Sequence, residues 1–372
     1  MGGPVSWTVV LSDLRISPAQ REAVLEVLDS GWLSMGPRTA AFEVAFAEAS
    51  ATEHAIATSS GTTGLLLALQ AVGVGPGDEV VLPSLTFVAD ANVVRRLGAT
   101  PVFADIESVN RPLVDPASVL ERVTARTRAV LVVHYAGSAV NVAPLLGHGF
   151  AVIEDAAHAV GPTTDGGIWL PVRGDAAVYS FFANKNLPVG EGGMVATNRE
   201  DIAADIRRLR GHGMTTGTWD RHRGHAYDYD VLAIGTNARL TEVQAALGAA
   251  GLADLPAHNE TRRRLLSQYE DALTGSKVGL ALAGSDSTAH LAVAVLPEAG
   301  GRARVRERLA TAGVQTSFHY PPIHRFAAYR DLEHAPLPVT EAASERLVTL
   351  PLHPYLSEGA VELIVSTLLE AL

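Results

Sequence analysis

The sequence predicts an α/β protein, a mostly parallel or mixed sheet covered by helices, with a smaller α+β domain after it. Three observations carry the prediction. Short β-branched apolar runs alternate with helix-length segments from residue 54 to about residue 250. The stretch 129–153 has no Asp, Glu, Lys or Arg, yet it breaks into AVLVVH and FAVIED with Asn, Pro and Gly between them. Buried parallel strands with a short crossover read this way, and a bilayer span does not. After Gly275 the alternation changes to sparser strands among helices. At 372 residues the chain is long for one core, so the expected division is a large domain over 1–250 and a small one over 251–372.

Each element follows in order. Ser17 precedes an amphipathic stretch at 18–29 with Pro18 in its first turn, the mark of a helix start. GWLSMGPRTAAFEVAFAEAS predicts a Gly/Pro-punctuated loop and a second helix. HAIATSS predicts a strand and GTTGLLLALQAVG the helix it feeds; DEVVLPS, TFVADANVVRRLG and TPVFADI repeat strand, helix, strand. A helix around 116–125 and strands at 128–133 and 150–154 continue the pattern. AAVYSFF and GGMVATN predict a hairpin. Residues 200–210 are expected as helix, 211–230 as an exposed polar loop, and 239–250 and 256–273 as helices. The C-terminal part predicts a strand at 289–296, a helix at 301–312, an HYPP segment, a helix around 340–347 and a closing amphipathic helix at 358–371.

Composition excludes several functions. A formal charge of −11 argues against a protein that grips nucleic acid, while leaving room for one local cationic pocket. Zero cysteines removes disulfides, thiolate metal sites and cysteine nucleophiles, and no metal site is expected. The start MGGPVSWTVVLSDLR lacks a cationic beginning and an apolar core of signal length, so a cytoplasmic location is expected.

Three short stretches bear chemistry. SSGTTG (59–64) follows a strand and opens a helix, where free N–H groups and hydroxyls favour an anion; an ordinary capped helix uses the same residues. In AVIEDAAHAVG (151–161), Asp155 ends an apolar strand with His158 three residues on. A buried aspartate needs a cationic or donor partner, although a helix cap is the plainer reading. YSFFANKNLPVGEGGMV (179–195) holds Lys185, one of only two lysines in the chain, the other being Lys277. A lysine that attacks a carbonyl must be neutral, hence partly buried; a solvated turn lysine is the competing reading. Taken together, a phosphate cradle, a strand-end aspartate and a nucleophilic lysine are the parts that pyridoxal phosphate needs. The phosphate anchors it, the carboxylate keeps its ring nitrogen protonated, and the lysine holds and releases its aldehyde.

The chain resembles the DegT/DnrJ/EryC1/StrS family of pyridoxal-phosphate-dependent sugar aminotransferases along essentially its whole length. The resemblance rests on GPRTAAFEVAFAE, ATSSGTTGLLLAL, GDEVVLPSLTFVADANVV, VFADI, VIEDAAHAVG, YSFFANKNLPVGEGGMV and IGTNARLTEVQAALG, in family order. It implies a fold-type I aminotransferase and a homodimer with active sites at the subunit interface. It implies that Lys185 carries pyridoxal 5'-phosphate and moves the proton, with pyridoxamine phosphate as the half-reaction form. Asp155 would face the pyridine nitrogen, His158 the 3'-oxygen and Phe87 the ring face. Gly61, Thr62 and Ser180 match phosphate contacts, and Asn237 would reach the phosphate from the neighbouring subunit. Glu191 lies in the GEGG turn without an assigned role. Two departures stand out. HYAGSAVNVAP replaces the common HLYGQPADM, with Ser138 and Asn141 at positions expected to reshape the substrate side. FANK replaces HPTK, with Ala183 for Pro and Asn184 for Thr.

The resemblance also implies a substrate, a nucleotide-linked keto-deoxysugar such as a dTDP-4-keto-6-deoxyhexose, with glutamate or glutamine as amino donor. A keto-cyclitol or a 3-keto sugar nucleotide is the alternative acceptor. The loop WDRHRGHAYDYD offers Trp219, Arg221, His222, Arg223, His225 and Tyr229 to a nucleotide diphosphate, or to solvent alone. In SFHYPPIHR, His319, Tyr320 and His324 are expected sugar contacts. Arg239 is expected to hold a substrate carboxylate or a structural ion pair.

Overall fold

A computed structural model describes residues 7–372 except 165, 166, 168, 217, 218, 220–223 and 225–227. Its strands are β1 His54–Thr58, β2 Glu79–Pro83, β3 Thr100–Ala104, β4 Thr127–Val133, β5 Ala151–Asp155, β6 Ala176–Ser180, β7 Gly193–Thr197, β8 Gly279–Leu280, β9 Ala292–Val295 and β10 Leu347–Leu350. The helices that matter here are α1 Pro18–Ser30, α2 Pro37–Ser50, α3 Gly61–Ala71, α4 Ala89–Arg96, α5 Pro116–Glu121, α6 Glu200–Leu209, α7 Glu242–Gly251, α8 Leu255–Leu273, α9 Arg302–Thr311, α10 Pro338–Arg346 and α11 Ala360–Glu370.

The first seven strands form one sheet in the order β1-β7-β6-β5-β4-β2-β3, with β3, β2, β4, β5 and β6 parallel. Only β7 runs against its neighbours β6 and β1. The fold class is therefore the expected one, a large mostly parallel sheet with a smaller antiparallel one. The strands are apolar on both faces because both are covered. Ile56, Val80, Leu82, Leu131, Ile153, Val178 and Val195 face a core shared with α3, α4 and α6. Their sequence neighbours point the other way. Ala55, Ala57, Tyr179 and Met194 meet Phe42 and Phe46 of α2, and Val81, Val130, Val132 and Val152 pack toward the C-terminal strands. Because all but β7 run the same way, every other strand's carboxyl end lies along one edge of the sheet.

The three C-terminal strands form an antiparallel sheet, β10-β9-β8. Ala292, Ala294, Val348 and Leu350 pack with α8, α9 and α11, while Val293, Val295 and Leu347 join the core beside β4. The N-terminal segment closes onto this sheet's helices, with Thr8 and Val9 N–H donating to Gly313 O. Strand β10 departs from expectation. LVTL follows α10 directly and has no alternation to announce a strand, because all four residues are buried between the two cores. Residues 129–153 are β4, two single 3-10 turns and β5, and no helix among the described residues is long and apolar enough to cross a membrane.

The loop before α2 is tied down by one side chain. Glu242, 2% exposed at the start of α7, accepts from the backbone N–H of Gly36, Arg38 and Thr39 at 2.8 Å each and from Thr39 Oγ1 at 2.7 Å. These donors are the unpaired groups of an α2 N-terminus that has no cap of its own. Glu242→Ala orphans them together, and a loss of about 3 kcal/mol is expected in chemical denaturation, whereas Glu242→Gln retains most of the stability.

Candidate active site

Strand ends and one C-terminal loop deliver the site. A cavity of about 380 Å³ opens at the carboxyl edge of the sheet between Gly61 and Thr62, Thr86 and Phe87, Asp155 and His158, Ser180, Lys185, and His319 with Tyr320. These residues come from the ends of β1, β2, β5 and β6 and from the C-terminal loop. At one side α3 begins. Ser60 caps it by accepting from Thr63 N–H at 3.1 Å, and Thr63 Oγ1 in turn accepts from Ser60 N–H at 3.0 Å. This box occupies the third amide and leaves Gly61 and Thr62 on the cavity wall. The approach to β6 and β7 is close. A Cβ on Gly61 would lie 3.0 Å from Ser180 Cβ, and one on Gly193 only 2.6 Å from Gly61 N.

Lys185 opens onto the cavity and is otherwise enclosed by protein, which pulls its amine down to about 8; Asp155 and Asp90 oppose the fall. The residue after it is firmly held. Asn186 donates to Asn259 Oδ1 and Thr288 O, both at 2.9 Å, and its own Oδ1 meets His290 Nδ1 at 2.9 Å. Asp155 is buried at the end of β5, and burial raises its carboxyl, while Ala157 N–H at 2.9 Å and Lys185 draw it back. Asp90, wholly buried on α4, is pushed well above the carboxylate range by burial and by Asp155.

His158 is held neutral by burial, with Lys185 and His319 adding to the effect. Its Nδ1 accepts from Ala136 N–H at 3.2 Å, so the ring proton sits on Nε2 and is donated to Tyr320 Oη at 2.9 Å. That arrangement frees the Tyr320 hydroxyl proton for another acceptor. Burial also keeps His319 neutral, lowering it to about 4. Phe87 is half exposed on the wall, with its ring 5.7 Å from that of Tyr320.

The structure thus brings together Gly61, Thr62, Phe87, Asp155, His158, Ser180, Lys185, His319 and Tyr320, with Glu191 also on the wall. It does not bring His324, Arg239 or Asn237 there. His324 is turned into the protein, its Nδ1 2.7 Å from Ser84 Oγ and its Nε2 2.5 Å from Glu341. Arg239 lines a separate groove with Arg207 and Arg208, and Asn237 is exposed beside Gly211. Ser138 is buried and Asn141 caps Ala143 N–H, both away from the cavity wall, so the departures from HLYGQPADM do not shape it directly. Trp219 packs edge-on against Trp32 at 4.7 Å, and Tyr229 is exposed. Arg221, His222, Arg223 and His225 lie outside the described residues. Asp90 is the participant that the sequence reading missed. Its signal was an acid placed in the otherwise apolar run TFVADANVV.

The family model for the DegT/DnrJ/EryC1/StrS aminotransferase family matches residues 15–369. The chain is similar to the aminotransferase TlmJ from Streptoalloteichus hindustanus, at 33% identity over 98% of each chain with a TM-score of 0.89. It is similar to DesI, solved in the presence of its TDP-sugar product, at 33% identity over 98% of this chain and 94% of that one, TM-score 0.86. A sugar aminotransferase described as putative, Spr1654 from Streptococcus pneumoniae, solved in its PLP form, matches at 26% identity over 97% of each chain, TM-score 0.89.

The depressed amine makes a stability prediction. A lysine at about 8 in the folded protein and 10.5 when unperturbed binds fewer protons when folded, so stability rises as pH climbs through that window. Below it the full burial cost applies, at most about 3 kcal/mol because the residue opens onto the cavity. Cofactor-free Lys185→Met is expected to resist urea better than cofactor-free wild type at pH 7, with the difference closing toward pH 10. An equal midpoint at both pH values would contradict the assigned burial. With its fold, its strand-end cavity and the match across nearly its whole length, the chain belongs to the DegT/DnrJ/EryC1/StrS aminotransferase family.

Proposed function

We propose that the protein transfers an amino group from glutamate or glutamine to a nucleotide-linked keto-deoxysugar, a dTDP-4-keto-6-deoxyhexose, with pyridoxal 5'-phosphate as cofactor and pyridoxamine phosphate as its aminated form. The observation that carries the reading is the convergence of a half-buried, depressed lysine, a strand-end carboxylate and a helix N-terminus on one cavity. The donor set fits the cofactor. Asn184 Oδ1, with Asn184 on the cavity wall, is buried without a partner, and the glycines at 61 and 193 keep the helix end clear for a phosphate.

Gly61, Thr62 and Ser180 would hold the phosphate, Asp155 would face the ring nitrogen, and Phe87 would lie against the ring. Pyridoxal phosphate, when bound, supplies an aldehyde and an electron-withdrawing ring. The protein does the rest. Lys185 carries the cofactor and takes and returns the substrate proton at Nζ, a task suited to an amine near 8. Neutral His158 fixes Tyr320, whose free hydroxyl proton donates to a substrate oxygen at the mouth. The 33% identity to DesI, with its TDP-sugar product, supports the sugar nucleotide as acceptor.

A homodimer completes the site in this reading. Val231, Leu232 and Ile234 are 50%, 59% and 87% exposed, an apolar strip immediately before Asn237. Buried against a second copy, the strip would present Asn237 and Arg239 to the partner's cavity.

Purified protein should bind pyridoxal phosphate with a visible band that Lys185→Ala abolishes; no band in wild type at any cofactor concentration would end the proposal. Gly193→Ala should weaken cofactor binding about tenfold or more by pressing on the start of α3. A panel of dTDP-keto sugars and keto-inositols, with glutamate and glutamine as donors, should show turnover of the sugar nucleotides. Turnover of a keto-inositol alone would move the enzyme to the cyclitol reading.

A further inference from the structure

We propose that Asp90 is a neutral carboxylic acid that donates its proton to Asp155, a positioning residue that shares out the negative charge facing the cofactor ring. Asp90 sits in the first turn of α4 with no exposed surface. Its Oδ2 accepts from Thr86 Oγ1 at 2.6 Å. Its Oδ1 is buried and, as an acceptor, has no donor. The neighbour it meets is the Asp155 carboxyl, itself an acceptor from Ala157 N–H. Two carboxylates in contact inside protein cannot both ionise without a large penalty, and a proton on Oδ1 both removes the repulsion and satisfies the orphaned oxygen.

The proton's side of the pair follows from the surroundings. Asp155 has a backbone donor, and Lys185 and, more weakly, His134 favour its charge. Asp90 has the Thr86 hydroxyl, while the pull of Lys185 on it is weaker than burial and the Asp155 charge together. The α4 N-terminus favours an anion there by up to about 2 kcal/mol, less than the several kcal/mol that burying an unpaired ion costs. Tyr320, protonated and close by, adds no positive charge. The pair therefore holds one proton, mainly on Asp90.

The consequence reaches the cavity. An Asp155 carboxylate that accepts from Asp90 has less charge to place against a ring N–H on the other side. The second acid thereby tunes how strongly the ring proton is held.

This inference rests on the proposed placement of the cofactor ring at Asp155, and the two are separable by experiment. Infrared spectroscopy of the cofactor-free protein at pH 7 should show the carbonyl stretch of a protonated carboxyl that Asp90→Asn removes; its absence overturns the proposal whether or not cofactor binds. In cofactor-loaded protein, the pH midpoint of the visible band is the second readout. Asp90→Asn keeps a neutral donor toward Asp155 and should leave the midpoint in place, whereas Asp90→Ala concentrates charge on the ring side and should raise it by about half a unit. A lowered midpoint in Asp90→Asn would mean that Asp90 is ionised, which overturns the proposal. Loss of the Lys185-dependent band in wild type would instead count against the cofactor reading, with the infrared band still deciding the state of Asp90.

Discussion

The site depends on enclosing one amine in protein, so that it gives up its proton more readily than in water. Burial lowers Lys185, and the Asp155 carboxylate opposes the fall, so that it settles near 8. Either influence alone would spoil it. Burial alone would leave a weakly basic amine, and an unopposed Asp155 carboxylate would hold it as an ammonium ion. The balance requires a wall of protein that holds two acids at a set distance from one lysine, and a parallel sheet supplies it. Asp155 ends β5, Lys185 follows β6, and Asp90 hangs from the helix after β2, all along the same sheet edge.

That edge is finished by the C-terminal part of the chain. Thr288 Oγ1 donates to His158 O at 2.6 Å, and Thr288 O together with His290 fixes Asn186, so a single short segment holds residues on both sides of the cavity. Tyr135 donates to His319 O, and His158 donates to Tyr320. Movement of the small sheet relative to the large one would therefore be felt at the lysine's neighbour and at the cavity mouth together. The shared core, in which Val293, Val295 and Leu347 pack beside Val130 and Val132, opposes such movement.

Much of this was legible in the sequence because local chemistry announced it. Ser17, Ser60 and Thr241 cap the helices that follow them, and each pairs with a Gln or Thr three residues on in a reciprocal box. Strand ends carrying Asp155 and Ser180 were readable from apolar runs that stop at a polar residue. The failures have equally physical causes. LVTL is buried on both faces and carries no period, so β10 was invisible. His319, Tyr320 and His324 share one short stretch, but the chain turns between them, and spacing alone could not tell which ring faces the cavity. Asp90 looked like a helix residue among helix residues until the fold set it against Asp155, far along the chain.

By itself the sequence determined the alternation of strand and helix, the parallel sheet, and the three stretches that bear the lysine, the aspartate and the capped helix start at Ser60. These are properties of neighbours along the chain: apolar period, caps and glycine placement. Only the tertiary structure decided the protonation states and the directions of the side chains. Burial, the tautomer of His158, the shared proton of Asp90 and Asp155, and the turn of His324 away from the cavity all depend on what lies opposite in space. That information exists only once distant strands have been brought to a common edge.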